Sequence, residues 1–312
     1  MFDSAVPRRQ AWLVYALFTL SAGLVVNTVL GPLLTGSITY HYSESLINQA
    51  TALDAVALAA ATVAVLAAVL VIRGHRAGPV LAFIPATLTA YMAPQYVIGP
   101  DYLGLPGNNE QYFLLHLGMF ILGLAVIVTA WGAVDRERLA PQGRASDRRR
   151  MWVMLGVAAF IALGRWLPSV LDLMSGQPST PDYLENPTAY LLIGILDLGL
   201  VVPAAIVAAV GLGRGTPWAR TAAYAVIGWF ALVPASVAAM SITMEVNDDP
   251  NANLGTMVLF IVAAVVFTIG AILLYRPLFV ADRPGIPRGD DEVTASELLD
   301  MSDHVEHWTV TS

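Results

Sequence analysis

The sequence predicts an all-α, polytopic membrane protein of eight transmembrane helices, arranged as two parallel four-helix repeats with both termini cytoplasmic. Three observations carry that prediction. Of 312 residues, 57% are hydrophobic and only 12% are charged, against about 25% charged in soluble proteins. Eight apolar runs each come close to the roughly 20 residues needed to cross a hydrocarbon core about 30 Å thick. Arginines gather in alternate connections between those runs. Backbone in lipid must satisfy its own hydrogen bonds, so the runs are helices and not isolated strands.

The first run, 11–34, follows Arg8 and Arg9. It is too long for a signal-peptide core and no A-x-A site follows, so it reads as a retained span. The second, 46–72, opens near Asp54 and carries Ala60, Ala64 and Ala68, a small-residue stripe suited to close helix packing. The third, 79–98, holds Pro85 and Tyr91, and the fourth, 112–134, holds His116. These spans form a first membrane repeat over 1–134, joined by a basic, solvated cytoplasmic linker, 135–150, to a second over 151–280. In the second repeat the fifth run, 151–173, contains Arg165, and the sixth, 189–212, contains Asp197 and Pro203. The seventh, 218–244, contains Pro234, and the eighth is 254–274. From 281 to 312 the chain turns polar and acidic, which predicts a disordered cytoplasmic tail.

Orientation follows from charge. Arg8, Arg9, Arg73, Arg76, the cluster from 136 to 150, Arg214, Arg220, Arg276, Arg283 and Arg288 fall at the termini and in alternate connections. The other connections carry Glu44, Asp101, Glu110, Asp182, Glu185, Asp248 and Asp249. The positive-inside rule then places the arginine side in the cytoplasm. Only Arg165 breaks the pattern. The net charge of −7 hides this sorting by side, to which the acidic tail adds. The absence of cysteine excludes disulfides, thiolate chemistry and Cys metal sites, and leaves the redox compartment unread.

The chain also repeats itself. Pro85, Ala86 and Thr87 match Pro234, Ala235 and Ser236; Asp54 matches Asp197; Trp12 matches Trp152; Tyr42 and Glu44 match Tyr183 and Glu185, all in the same order at offsets of 140 to 149. A unit of four helices keeps its orientation, so the repeat is parallel, about an axis along the membrane normal.

Asp197 is the residue that most needs a reason. Aspartate at the centre of a membrane helix costs about 2.5 to 3.5 kcal/mol on insertion scales, so it needs a partner or a wet cavity. Counting about 1.5 Å per residue puts Asp197 about 12 Å and Arg165 about 9 Å below the outer surface, which predicts that they pair. The pair has two readings: a structural ion pair that fixes helix register, or a functional intramembrane charge. The same counting places Tyr91, His116 and Asp54 in the outer half, so a hydrated pocket, if present, lies there between the repeats. His116 could relay a proton beside Asp54 or Asp197, or simply bond across helices. Asp54 could equally be a wetted carboxylate at a helix start. Prolines 85, 203 and 234 inside spans permit kinks of the kind found at transporter sites.

Other patterns carry less. Asp249 through Gly255 misplaces the glycine of a calcium loop and has Phe260 where a bidentate glutamate belongs. The glycines of 211–215 follow no strand, so a dinucleotide site fails. No cofactor or metal is predicted. The arginine clusters suggest anionic lipid and no nucleic acid.

The blocks LDLGLVVPA at 196–204, PWAR at 217–220 and GWFALV at 228–233 resemble multi-spanning membrane proteins of high-GC actinobacteria that have no assigned activity. The resemblance implies an inner-membrane protein of about eight helices and carries no site residues. Three function classes fit the sequence. The first is a small-solute or ion permease, proton-coupled through Asp197 with His116. The second is a non-transporting scaffold or sensor whose tail meets a cytoplasmic partner. The third is a lipid-modifying membrane enzyme, disfavoured because no nucleophile or metal set is recognisable. Oligomeric state is not encoded in any of these patterns.

Overall fold

A computed structural model describes residues 8–136, 139 and 143–280. Among the described residues there are no strands, and eight helices are long and apolar enough to cross a membrane. They are α1 (Gln10–Leu30), α2 (Glu44–Ile72), α3 (Ala77–Ile98), α4 (Asn109–Ala133), α5 (Arg144–Met174), α6 (Pro187–Gly213), α7 (Pro217–Val246) and α8 (Leu254–Phe279). This is the organisation of a multi-pass membrane protein. The chain divides into two units, Met1–Phe279 and Val280–Ser312. The predicted acidic tail, 281–312, lies outside the described residues, as does most of 137–142.

Packing follows side-chain size. Leu13, Leu17, Leu20 and Leu24 recur on one face of α1 and are buried, as the helical period requires. They meet α2, whose Ala60, Ala64, Ala67 and Ala68 are fully buried. Small residues let the two backbones approach, the usual means of helix association where lipid removes the hydrophobic drive. Ser21 donates to the Ala61 carbonyl at 3.0 Å and Thr28 to the Asp54 carbonyl at 3.1 Å, fastening the same seam.

Helix α7 occupies the middle and packs on α2, α3, α6 and α8. Around it α1 lies on α2 and α4, α3 on α4, and α5 on α6. Gly78 lets α2 turn tightly into α3: a Cβ there would lie 2.6 Å from the Val71 backbone nitrogen. Proline 85 has no N–H for the Leu81 carbonyl, and α3 breaks accordingly between Leu81 and Phe83. Pro234, by contrast, sits inside α7 without interrupting it. Helix α8 fully buries only Ala271, Tyr275 and Leu278, packs Phe267 and Leu274 partly against the core, and leaves Val258, Val262, Val265, Val266, Ile269 and Ile272 exposed, which suits lipid.

The connections meet at two ends. At one, Asn108 N–H donates to the Thr39 carbonyl and Asp101 N–H to the His41 carbonyl, each at 2.8 Å. Asn48 there donates to Asp249 at 2.8 Å and accepts from Asn247 at 2.7 Å, joining the start of α2 to the turn after α7. At the other end Arg76 donates to the carbonyls of Pro277 and Leu278, capping α8. The basic segment is not solvated throughout. Helix α5 starts within it, and Asp147, 6% exposed, accepts from Arg220 at 2.9 and 3.1 Å and from Arg150 at 3.4 Å. One carboxylate between two guanidiniums draws this stretch onto the bundle.

Candidate functional site

The five residues singled out from sequence fall into two separate clusters. Asp54 and His116 belong to the first, built by α1, α2, α4 and the connection that follows α1. Asp54 is 1% exposed. It accepts from the Asn27 amide at 3.3 Å and from the Leu33 backbone N–H at 3.3 Å. Gly31 permits that approach, since a Cβ there would overlap the Asp54 carboxylate. The Asn27 carbonyl oxygen lies 3.0 Å from His116 Nε2. An oxygen acceptor there requires Nε2 to carry the hydrogen, which assigns a tautomer by network logic. His116 Nδ1 is then an acceptor, buried without a partner among the described residues. Asn27 therefore stands between His116 and Asp54, so the two do not touch directly.

Three tyrosines roof this cluster. Tyr40 stacks on Tyr42 at 5.6 Å and on Tyr96 at 5.0 Å, and Tyr96 lies 5.2 Å from the His116 ring. The Tyr40 hydroxyl is buried without a hydrogen-bond partner among the described residues; its burial and the nearby Asp54 charge push its pKa well up. A cavity of ≈ 20 Å³ touches Asn27, Tyr96, Met92 and Met119, about enough for one water molecule.

The second cluster holds Asp197, Arg165 and Tyr91, and adds Trp166, which sequence reasoning missed. Asp197 Oδ1 accepts from the Tyr91 hydroxyl at 2.7 Å, and Oδ2 accepts from the Trp166 indole N–H at 2.8 Å. Arg165 is present, but its Nε stands 3.7 Å from Oδ2, beyond hydrogen-bond reach. The expected guanidinium pairing is thus a loose ion pair. The short bonds come instead from neutral donors, a phenol on α3 and an indole on α5. The Arg165 side chain is 42% exposed while that of Asp197 is 13% exposed. The guanidinium carbon lies 5.4 Å from the Trp166 ring centroid, a cation–π distance. Tyr91 in turn sits 5.2 Å from Trp229, whose buried indole N–H has no acceptor among the described residues.

Backbone explains how Arg165 and Trp166 reach this position. Phe160–Trp166 in α5 and Asp197–Val201 in α6 are both π-helical. The Leu167 N–H donates to the Ala162 carbonyl and the Val202 N–H to the Asp197 carbonyl, each five residues back. Both turns end in the same local sequence: Leu163-Gly164-x-x-x-Pro168 and Leu198-Gly199-x-x-x-Pro203. A proline offers no N–H to the carbonyl four residues back and its ring presses on that carbonyl. Widening the turn relieves the clash. The two π turns touch, and the acid and the base sit on them. That repeated LGxxxP was the signal available in the sequence.

Depth is similar for all three charged or phenolic groups. Arg165 lies about six residues, or about 9 Å, from the middle of α5. Asp197 and Tyr91 lie about three or four residues, or about 5 Å, from the middle of their helices. Each falls on the side of the acidic connections, closer to the middle of its helix than about 15 Å, half the thickness of a hydrocarbon core. Tyr91 comes from the first half of the chain and its partners from the second. Compared with profiles of known protein families, with curated proteins and with solved structures, the chain matches none of them.

Proposed function

We propose that this protein is a small-solute or ion permease of the cytoplasmic membrane, with its site at Asp197, Tyr91, Trp166 and Arg165. The observation that carries the reading is the pair of touching π turns, which bear a buried carboxylate and a half-exposed guanidinium on two apolar helices. π turns recur at functional positions, because the extra residue loosens the helix ladder. Interrupted helices facing one another near the bilayer centre are also how secondary transporters build sites. The unpaired indole of Trp229 beside Tyr91 supports the reading further. A buried donor without an acceptor costs about 1 to 3 kcal/mol, which a ligand or water oxygen would recover.

The proposal extends to architecture: two parallel four-helix repeats with the arginine end and both termini in the cytoplasm. In support, α1–α2 contacts have a counterpart in α5–α6, and α3–α4 contacts in α7–α8. The α2–α7 contact likewise has its counterpart in α6–α3.

The test is flux in proteoliposomes, with a panel of small organic acids, amino acids and inorganic ions. Asp197→Asn should abolish uptake of whichever solute the wild type carries, while the thermal unfolding profile is retained. If the variant instead fails to fold and Arg165→Leu restores it, the cluster is a structural ion pair and the scaffold reading prevails.

A further inference from the structure

We propose that the terminal amino groups of Arg165 bind an oxyanion, a carboxylate or phosphate group, at the open edge of the Asp197 cluster; this rests on reading that cluster as a ligand site. Asp197 does not engage the guanidinium as a fork. Its two oxygens are occupied by Tyr91 at 2.7 Å and Trp166 at 2.8 Å, and only Nε of Arg165 approaches it, at 3.7 Å. Guanidinium carries five N–H donors in a fixed plane. Among the described residues none of them reaches a hydrogen-bond acceptor of the protein.

An arginine 42% exposed at that depth is costly if it faces hydrocarbon alone. It needs water or an anion. The geometry favours an anion whose oxygens match the planar fork, because two parallel charge-assisted bonds form without rearranging the site. The Trp166 ring, 5.4 Å from the guanidinium carbon, helps fix the plane of the fork. Repulsion by Asp197 is blunted because its oxygens already receive two donors. Two sources present this chemistry: a dissolved anionic solute, or the phosphate of a lipid headgroup entering from the side.

The experiment measures thermal unfolding of the full chain in nanodiscs. In phosphatidylcholine discs, sodium phosphate and sodium acetate are titrated against sodium chloride at matched ionic strength. Arg165→Gln serves to subtract the general salting effect of phosphate. A dissolved oxyanion should raise the melting temperature of the wild type above that of Arg165→Gln. Arg165→Lys, which keeps charge and loses the fork, should need about tenfold more anion or beyond for the same shift. If lipid is the source, discs containing phosphatidylglycerol should stabilise the wild type over Arg165→Gln, and added phosphate should contribute nothing more.

Equal responses of wild type and Arg165→Gln in both lipids would overturn the proposal. Should Arg165→Gln not fold, an undiminished response in Arg165→Lys overturns it instead. Oxyanion binding without flux of any solute sinks the permease reading and leaves this one. Flux that is indifferent to oxyanions and to Arg165→Lys does the reverse.

Discussion

Asp197 accepts both of its short hydrogen bonds from neutral donors, so its charge is solvated by protein dipoles more than it is paired. The depth count from sequence sets Arg165 near Asp197, and the two approach to 3.7 Å, but such a count does not rank the donors. Which residue of the pair Arg165-Trp166 points at the carboxylate depends on the local helix register, and a π turn resets that register. A different residue shows how a charge outside the spans is set. His41 Nδ1 contacts the Leu105 carbonyl and Nε2 the Glu110 carboxylate, the latter at 2.9 Å. Both partners are acceptors, so both contacts become hydrogen bonds only when both nitrogens donate, an arrangement that favours the imidazolium form. The Leu105 carbonyl first, and then Glu110, raise its pKa against the opposing effect of burial. A raised folded-state pKa makes the contribution of this clamp complete below the ordinary value of about 6.5, and it is lost as pH rises through the folded value. The melting-temperature gap between wild type and His41→Gln should therefore be widest in mildly acidic buffer and close on alkalinisation. A gap independent of pH would remove the imidazolium.

At the scale of elements, the spans were legible and their irregularities were not. Length and apolarity located all eight helices, because a bilayer imposes both. The first apolar run extends to residue 34, yet α1 ends at Leu30; Gly31 turns the chain back so that Leu33 can donate its N–H to Asp54. Val29 and Leu30 close the helix and Pro32, Leu33 and Leu34 follow in the re-entry, so hydropathy alone cannot see the difference. Prolines 85 and 203 mark real interruptions, whereas Pro234 does not. The distinction lies in what each proline's missing bond does to its neighbours, and this is set by packing. For the π turns the prolines supply the cause, each withholding an N–H from the carbonyl four residues back. Pro168→Ala and Pro203→Ala each supply the missing N–H, so either should favour a return to ordinary helical register and swing the preceding residues round the axis. The expected outcome is a protein at least as stable, proline in a helix interior costing up to about 3 kcal/mol, but with the Trp166–Asp197 bond broken. Ultraviolet difference absorbance of the indole, set against that of Trp166→Phe, checks it. An unchanged Trp166 signal in both proline variants would mean the turns are held by something else.

For the whole molecule, the sequence sorted its connections into an arginine set and an acidic set, and the fold brings members of each set into contact. Asn48 with Asp249, and Arg76 with the end of α8, are contacts between residues about 200 apart in the chain that no local pattern encodes. Sidedness in the cell is a separate matter and can be read directly. The chain has no cysteine, so single cysteines report without background. Gln177→Cys, in the connection after α5, should react with an impermeant maleimide added to intact cells. His75→Cys, between α2 and α3, should react only after permeabilisation. The opposite pattern would invert the proposed topology.

The last helix is joined to the bundle along one flank, through α7 and the cap that Arg76 provides, and among the described residues it shares no hydrogen bond with either polar cluster. A wall hinged along a single seam can swing outward while the rest of the room keeps its furniture in place. Displacement of α8 would leave the hydrogen bonds that hold Asp197 and Asp54 unbroken.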